Sequence, residues 1–491
     1  FDHQITYPAW EPPADKLQHW VKDLGIGGVI LLGGSAAEVQ QRCAQLQSWA
    51  EVPLFLAADI EEGVGQRFAG ATWFPPPMAL GAIAHEDLQP AKTYARTMGA
   101  ITAQEALALG LNWVLGPVVD VNNNPANPVI NVRALGDDPA TVEALAVAFI
   151  EGAQQHPVLT AAKHFPGHGD TAVDSHLELP VIHHSRDRLE AIELPPFEAA
   201  INAGVDSVMS AHLLVPDLDP VRPATLSPKV LTSLLRQDLG FDGIIVTDAL
   251  VMGAIANQYG TGEAAVMAVE AGADVLMMPS DPVEAVEAVC GAVESGRLSE
   301  AQIHQSLARI WRAKAQLKSP TNLPLWQQLS QPQATATVEA ILQQSLEVQG
   351  GPISPPNSAA GHEGHNVVLI DDCLDCDFLT RQAPAITLPA QQGYSILHLL
   401  DASSTLPQLP LDAPVLLQIF VRGNPFRGSA ELLDQRWRKL MEQAQIQGVV
   451  IYGSPYSWQQ VRQTLGDVSG VFTYGQMPAA QAIALGALFK P

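Results

Sequence analysis

Basic residues are scarce in this chain. Its 26 lysines and arginines face 51 aspartates and glutamates, a formal net charge of −25. A surface of that sign argues against nucleic acid or an anionic membrane as partner, since both need clustered Lys and Arg. Cysteine is as sparse: Cys43, Cys290, Cys373 and Cys376 are too few for a disulfide scaffold. Cys373 and Cys376 form a lone CxxC among acids, with no second pair to complete a zinc site. No apolar run approaches the ~18–20 residues of a membrane span. No charged-then-apolar signal segment opens the chain, which starts at Phe1 rather than Met. A cytoplasmic protein is the expectation, with an incomplete start and export left open.

What is present is core. Of 491 residues, 47% are hydrophobic and only 16% charged, the composition of a globular protein. From about 25 to 317, short apolar runs alternate with helix-length amphipathic stretches. The runs are GVILL (28–32), PLFLAADI (53–60), WVLGPVVDV (113–121), LTAAKHF (159–165), SVMSAH (207–212), GIIVTDAL (243–250) and VLMMP (275–279). They do not alternate with polar residues, which suits parallel strands covered on both faces. Between them, 36–50, 137–155 and 227–239 read as helices. Ser227-Pro228 is a helix start, and Gly204 and Gly272 stand where helix C-caps belong.

This pattern predicts an α/β fold, a (β/α)8 TIM-type barrel. One strand short of the eight a closed barrel needs, it implies a first strand upstream of Phe1 or a degenerate one within residues 1–10. An incomplete barrel is the main alternative; an open doubly wound sheet is disfavoured, because no glycine-rich phosphate loop follows any run. The barrel is assigned to residues 1–317. A linker with a bridging helix at 338–348 covers 318–360, and a smaller α/β three-layer sandwich domain covers 361–491. Its strands are expected at 366–370, 413–421, 448–453 and 469–475. Arg422 and Arg427 in FVRGNPFRGS are expected either to reach the barrel mouth or to sit on a surface loop.

In a parallel barrel, chemistry sits at the carboxyl ends of the strands. Asp59, Asp120, Lys163, His164, His212 and Asp248 stand at such ends. The loop KHFPGHGDTAVDSH (163–176) follows one of them directly. Asp174 and His176 are two apart there, so in an extended stretch both side chains point the same way. A carboxylate beside an imidazole fixes its tautomer and raises its pKa, which suits acid/base work near neutrality. A loop-stabilising hydrogen bond is the plainer alternative. His168 reads as a structural loop histidine, and His183 and His184 as solvated. Met277 and Met278 are expected to fill the barrel mouth, while Ser210 and His212 either line the pocket or pack in the core.

KHFPGHGDTAVDSH followed by VTDALVMGAI (246–255) resembles the β-N-acetylhexosaminidases of glycoside hydrolase family 3. Upstream, DIEEGVGQRF (59–68) is similar to the family's Asp-x-Glu-Gly-Gly-x-x-x-Arg loop. GPVVDVNNNPANPVINVRALGDDP (116–139) is similar to its Asp-x-Asn…Asn-Pro-x-Ile…Arg segment. The resemblance implies Asp248 as nucleophile, His176 as acid/base and Asp174 as the partner orienting it. It also implies that Asp59, Arg67, Arg133, Lys163 and His164 hold the terminal sugar. It departs from the family at Glu62, which stands where the first of two glycines is usual.

The implied activity is retaining, exo-acting hydrolysis of terminal β-N-acetylglucosamine from peptidoglycan-derived fragments. No metal or organic cofactor is expected; the partner is a small carbohydrate or muropeptide, and the protein a monomer or weak oligomer. A β-glucosidase or an N-acetylglucosaminide phosphorylase of the same family stays open. A metal-dependent barrel hydrolase lacks a His-x-His at an early strand end. A sugar-binding protein on a decayed barrel would be expected to have lost Asp248 or His176.

Overall fold

A computed structural model describes residues 12–172, 178–317, 324–356, 363–370, 376, 378–401, 404–422 and 430–489. Six of the apolar runs form strands: β1 (Gly28–Ile30), β2 (Phe55–Ala58), β3 (Trp113–Val114), β4 (Leu159–Phe165), β5 (Ser207–Ser210) and β6 (Ile244–Thr247). They pair in chain order, and every pairing is parallel. A doubly wound sheet would reverse direction at a switch point; this one keeps turning the same way, as a barrel does.

The helices between strands start and stop where local chemistry dictates. Ser35 and Glu38 form a capping box at the head of Ala36–Trp49, and Asp138 accepts from Thr141 N ahead of Pro139–Ala153. Gly272 ends Thr261–Ala271 in the left-handed region at φ 113°, which an L side chain rarely adopts. Along each strand, side chains alternate between two cores. Phe55, Ala57, Trp113, Leu159, Ala161, Met209, Ile244 and Val246 fill the inside of the curl. Leu56, Ala58, Val114, Ala162, Val208 and Ile245 pack outward against the helices.

The expected strand at 275–279 is not one. It makes a single bridge, Val246 to Val275, formed by Val275 N on Ile245 O and Thr247 N on Val275 O, and accepts two further backbone bonds, from Leu250 and Val251. Its other edge faces an apolar cavity of about 880 Å³ that separates it from β1, with Ile30, Val275, Met277 and Ile310 in its wall. No strand among the described residues lies between the two. With a neighbour on one side only, the segment has no second ladder to hold it extended.

The second sheet holds β7 (Glu347–Gln349), β8 (His365–Ile370), β9 (Ile396–Leu400), β10 (Pro414–Val421), β11 (Gln445–Gly453) and β12 (Ser469–Thr473). Their order is β9-β8-β10-β11-β12-β7, with only β7 antiparallel. Helices at Pro384–Gln391, Ala430–Gln443, Pro455–Arg462 and Pro478–Phe489 accompany it. Two features differ from expectation. The bridging helix runs earlier, Pro332–Gln344, because proline starts it, and 347–349 turns instead into an edge strand on β12. The other is β9, which escapes notice because ILHLL is half-exposed at the opposite edge. The carboxyl edge of this sheet faces the barrel, and Phe378 meets Trp73 edge-on at 6.3 Å.

Candidate active site

The end of β4 delivers Lys163 and His164 into the barrel mouth. Lys163 is 1% exposed, and its Nζ donates to Asp59 Oδ1 at 2.8 Å and lies 2.7 Å from Glu61 Oε1. Arg133, at the end of the short helix Asn131–Arg133, grips the same Glu61 with a fork: Nε at 2.7 Å from Oε2 and Nη2 at 2.8 Å from Oε1. Burial pushes the Glu61 carboxyl up, but Arg133 and Lys163 outweigh it and hold it well below the usual range. For Lys163, burial favours loss of the proton, and Asp59 and Glu61 reverse that and raise its pKa. Glu61 and Lys163 thus face each other as a buried ion pair.

His164 is oriented from both sides. Its Nδ1 lies 2.7 Å from Asp120 Oδ2, and its Nε2 lies 3.4 Å from the Arg133 Nη2. A carboxylate on one nitrogen and an obligate donor on the other select the tautomer with its proton on Nδ1. Asp120 also accepts from the backbone N–H groups of His164 and His168. Burial alone would raise the Asp120 carboxyl; those partners bring it below its ordinary value.

Asp248 follows β6 directly. Its backbone N–H donates to Ser210 O at 3.2 Å, and its Oδ1 accepts from Ala249 N at 2.8 Å. The side chain is only partly buried, so it keeps access to the mouth. Ser210 and His212, by contrast, are buried and bond Thr225, and His212 Nε2 reaches Ala249 O at 3.0 Å. They hold the strand ends beside Asp248 rather than line the opening. Arg67 is exposed at the rim, with its Nε on Asp59 O at 3.2 Å.

Asp174 and His176 lie outside the described residues. The segment leading to them is firmly seated. Asn127 Nδ2 donates to His168 O and Gly169 O, both at 2.8 Å. A Cβ at Gly169 would sit 1.8 Å from Val121 O, so only glycine fits there. His168 is buried beside His164, and burial brings its pKa down to about 4. On the far side, His184 is not fully solvated as expected but half-buried, with its Nε2 3.0 Å from Asp170 Oδ2.

Reasoning from sequence passed over Glu61 and left Asp120 as a bare strand-end acid. Both are now hubs: Glu61 gathers Lys163 and Arg133, and Asp120 gathers His164 and the backbone N–H of His168. The signal was available, since both are acids at the ends of otherwise apolar runs. The only other grouping of ligand-type side chains among the described residues is His85, Asp137 and Asp138, on a largely exposed surface far in sequence from the strand ends.

Comparison with known proteins gives a consistent picture. Residues 3–313 match the glycosyl hydrolase family 3 N terminal domain, and 357–490 the bacterial glycosyl hydrolase family 3 C-terminal domain. The chain belongs to glycosyl hydrolase family 3. Among family members, it is 35% identical over 337 residues to beta-hexosaminidase A of Pseudoalteromonas piscicida, covering 62% of this chain and 56% of that one. It is 32% identical over 333 residues to the beta-N-acetylglucosaminidase/beta-glucosidase of Cellulomonas fimi, covering 65% and 57%. These matches span little more than half the length of those relatives. A family 3 beta-N-acetylglucosaminidase structure from Paenibacillus sp. superimposes with a TM-score of 0.80 and 30% identity, over 98% of this chain and 94% of that one.

The departure from the family's paired glycines has a structural reason. Glu62 is fully buried and pairs with Arg422, while Trp73 Nε1 donates to it at 3.0 Å. Gly63 beside it keeps φ at +78°, and a Cβ there would come within 2.7 Å of Thr72 O and the Phe74 ring. Arg422 therefore does reach the barrel rather than sit on an idle surface loop. It is bound to the barrel.

Proposed function

We propose that the protein is a retaining exo-β-N-acetylglucosaminidase. The observation carrying this reading is the paired cluster of Asp59, Glu61, Lys163 and Arg133 at the strand ends, with His164 against Arg133 and Asp248 on the same rim. Adjacent sugar hydroxyls are gripped well by such alternating donors and acceptors. Asp248 stands directly after β6 and is only partly buried, which suits a nucleophile.

In this mechanism Asp248 attacks the anomeric carbon as the glycosidic C–O bond breaks, and His176 gives its proton to the departing oxygen. His176 then takes a proton from water, which attacks the same carbon and frees Asp248. Asp174 holds the imidazole in register. Asp59, Arg67, Arg133, Lys163 and His164 hold the sugar. The network around Lys163 is dry and pre-paired, so its donors are already aimed before substrate arrives.

Residues 1–317 are assigned as the catalytic unit, 318–360 as the connection and 361–491 as the second domain. The natural substrates are taken to be muropeptide fragments of peptidoglycan, in line with the small-sugar site. The relative whose name joins N-acetylglucosaminidase to β-glucosidase makes glucosides the comparison of choice. The test is hydrolysis of paired nitrophenyl N-acetylglucosaminide and glucoside by the full chain, with and without phosphate. Faster turnover of the glucoside would overturn the sugar assignment, and sugar phosphate as product would overturn hydrolysis. Trapping with a 2-fluoro sugar should label the peptide carrying Asp248.

A further inference from the structure

Two loops that carry sugar-holding residues, Asp59 and Arg67 on one and Arg133 on the other, are each tied to the second domain, and by the same edge of its sheet. Arg422 follows β10 and grips Glu62, with Nη1 at 3.0 Å from Oε2 and Nη2 on Oε1. Tyr456 opens the helix after β11, and its hydroxyl accepts from Asn122 Nδ2 at 2.6 Å. Glu62 adjoins Glu61 and lies three residues past Asp59. Asn122 lies two residues past Asp120, and its Oδ1 accepts from Asn131 N at 2.9 Å, at the head of the short helix ending in Arg133.

Neither tie is a surface contact. Glu62 is 0% exposed and Asn122 is 1% exposed. A buried carboxylate left without its cation is costly, so the position of Glu62 is bound to that of Arg422. From there the constraint is short. Gln66 Oε1 accepts from both Glu61 N at 2.8 Å and Glu62 N at 3.1 Å, so the two residues move as one turn. Glu61 in turn holds Lys163 and Arg133.

We infer that the second domain is a positioning element for the sugar site, acting through Arg422 on the Asp59–Glu61 turn and through Tyr456 on the Asp120–Arg133 loop. Through these two residues it sets where the groups that hold the sugar stand. Arg422 and Tyr456 are positioning residues. The inference rests on the sugar-holding role proposed above for that cluster.

The experiment uses the full chain and the nitrophenyl N-acetylglucosaminide. Arg422→Met should raise KM about tenfold or more while kcat changes less, as displacement of a binding loop by a fraction of an ångström does. Glu62→Gln combined with Arg422→Met should be no worse than Arg422→Met alone, because the same contact is lost, and Arg422→Lys should restore part of the affinity. Tyr456→Phe removes one hydroxyl and leaves the fold intact should Arg422→Met not accumulate; it should raise KM several-fold. A fall in thermal midpoint with KM unchanged in Arg422→Met, or in Tyr456→Phe where Arg422→Met fails to fold, would reduce the tie to interdomain adhesion and overturn the proposal. A wild-type chain that binds and cleaves no N-acetylglucosaminide would sink the underlying function, and this inference with it.

Discussion

Lys163 and Glu61 meet at 2.7 Å with almost no solvent on either, one from the end of β4 and the other from the turn after β2. Burying one charge of this pair alone would be prohibitive. Together, and with Arg133 and Asp59 completing the set, they form a rigid polar floor in the barrel mouth.

Glu61→Gln should therefore be one of the most damaging single substitutions in the barrel. It leaves Lys163 and Arg133 buried with one carboxylate fewer between them, and breaking such a set typically costs about 3–5 kcal/mol. Denaturant unfolding at pH 7 measures this. A loss below about 1 kcal/mol would mean the cluster is wetter than its burial indicates.

Asp248→Ala should behave in the opposite way. The side chain is partly exposed, and its Oδ1 accepts from the adjacent Ala249 N. Its removal should leave the thermal midpoint nearly unchanged while hydrolysis of the chromogenic glycoside falls by a factor on the order of 10³ or more. Retained turnover would dismiss it as nucleophile.

His168 predicts an acid-side loss of stability. Burial lowers its folded-state pKa from 6.5 to about 4, so between those values the unfolded chain binds more proton than the folded one. Stability is then complete above about pH 6.5 and declines as pH falls towards 4, by about 3 kcal/mol over the whole window. Unfolding of His168→Gln at pH 7 and pH 5 should show a smaller difference than wild type. Equal slopes would assign the acid loss to other groups.

Glu193 has the reverse sign. It is 3% exposed, neither carboxylate oxygen has a hydrogen-bond partner, and Arg188 stands 3.4 Å off. Burial raises its pKa from 4.5 to about 7. The folded state thus holds the proton longer, and this contribution is lost as pH climbs from about 4.5 through 7. Glu193→Gln should be roughly 2 kcal/mol more stable than wild type at pH 8 and near-neutral at pH 5. A destabilised variant at pH 8 would show that the ionised carboxylate is wanted there, against the base of the 163–176 loop.

Much of this molecule was legible in its residues. Runs of Val, Ile and Leu without alternation located all six barrel strands, because a strand covered on both faces tolerates no polar side. Ser227, Gly204 and Gly272 marked helix ends because capping chemistry acts within a few residues. The segment 275–279 misled for a physical reason: its composition is that of a strand, but strand formation also needs a partner on the open side. The 347–349 strand was missed for the converse reason. Its pairing partner, β12, lies more than a hundred residues away.

The sequence by itself determined which chemistry stands at the strand ends, since motif and spacing place Asp59, Lys163, His164 and Asp248 there whatever the packing. Only the tertiary structure decided which of those groups meet, and that Glu61 and Asp120 organise them. It alone decided that Glu62 is answered by Arg422, 360 residues further on. Local conformation follows from neighbours in the chain; a buried charge is acceptable only where folding brings its counter-charge to it, and no short stretch of residues can say where that will come from.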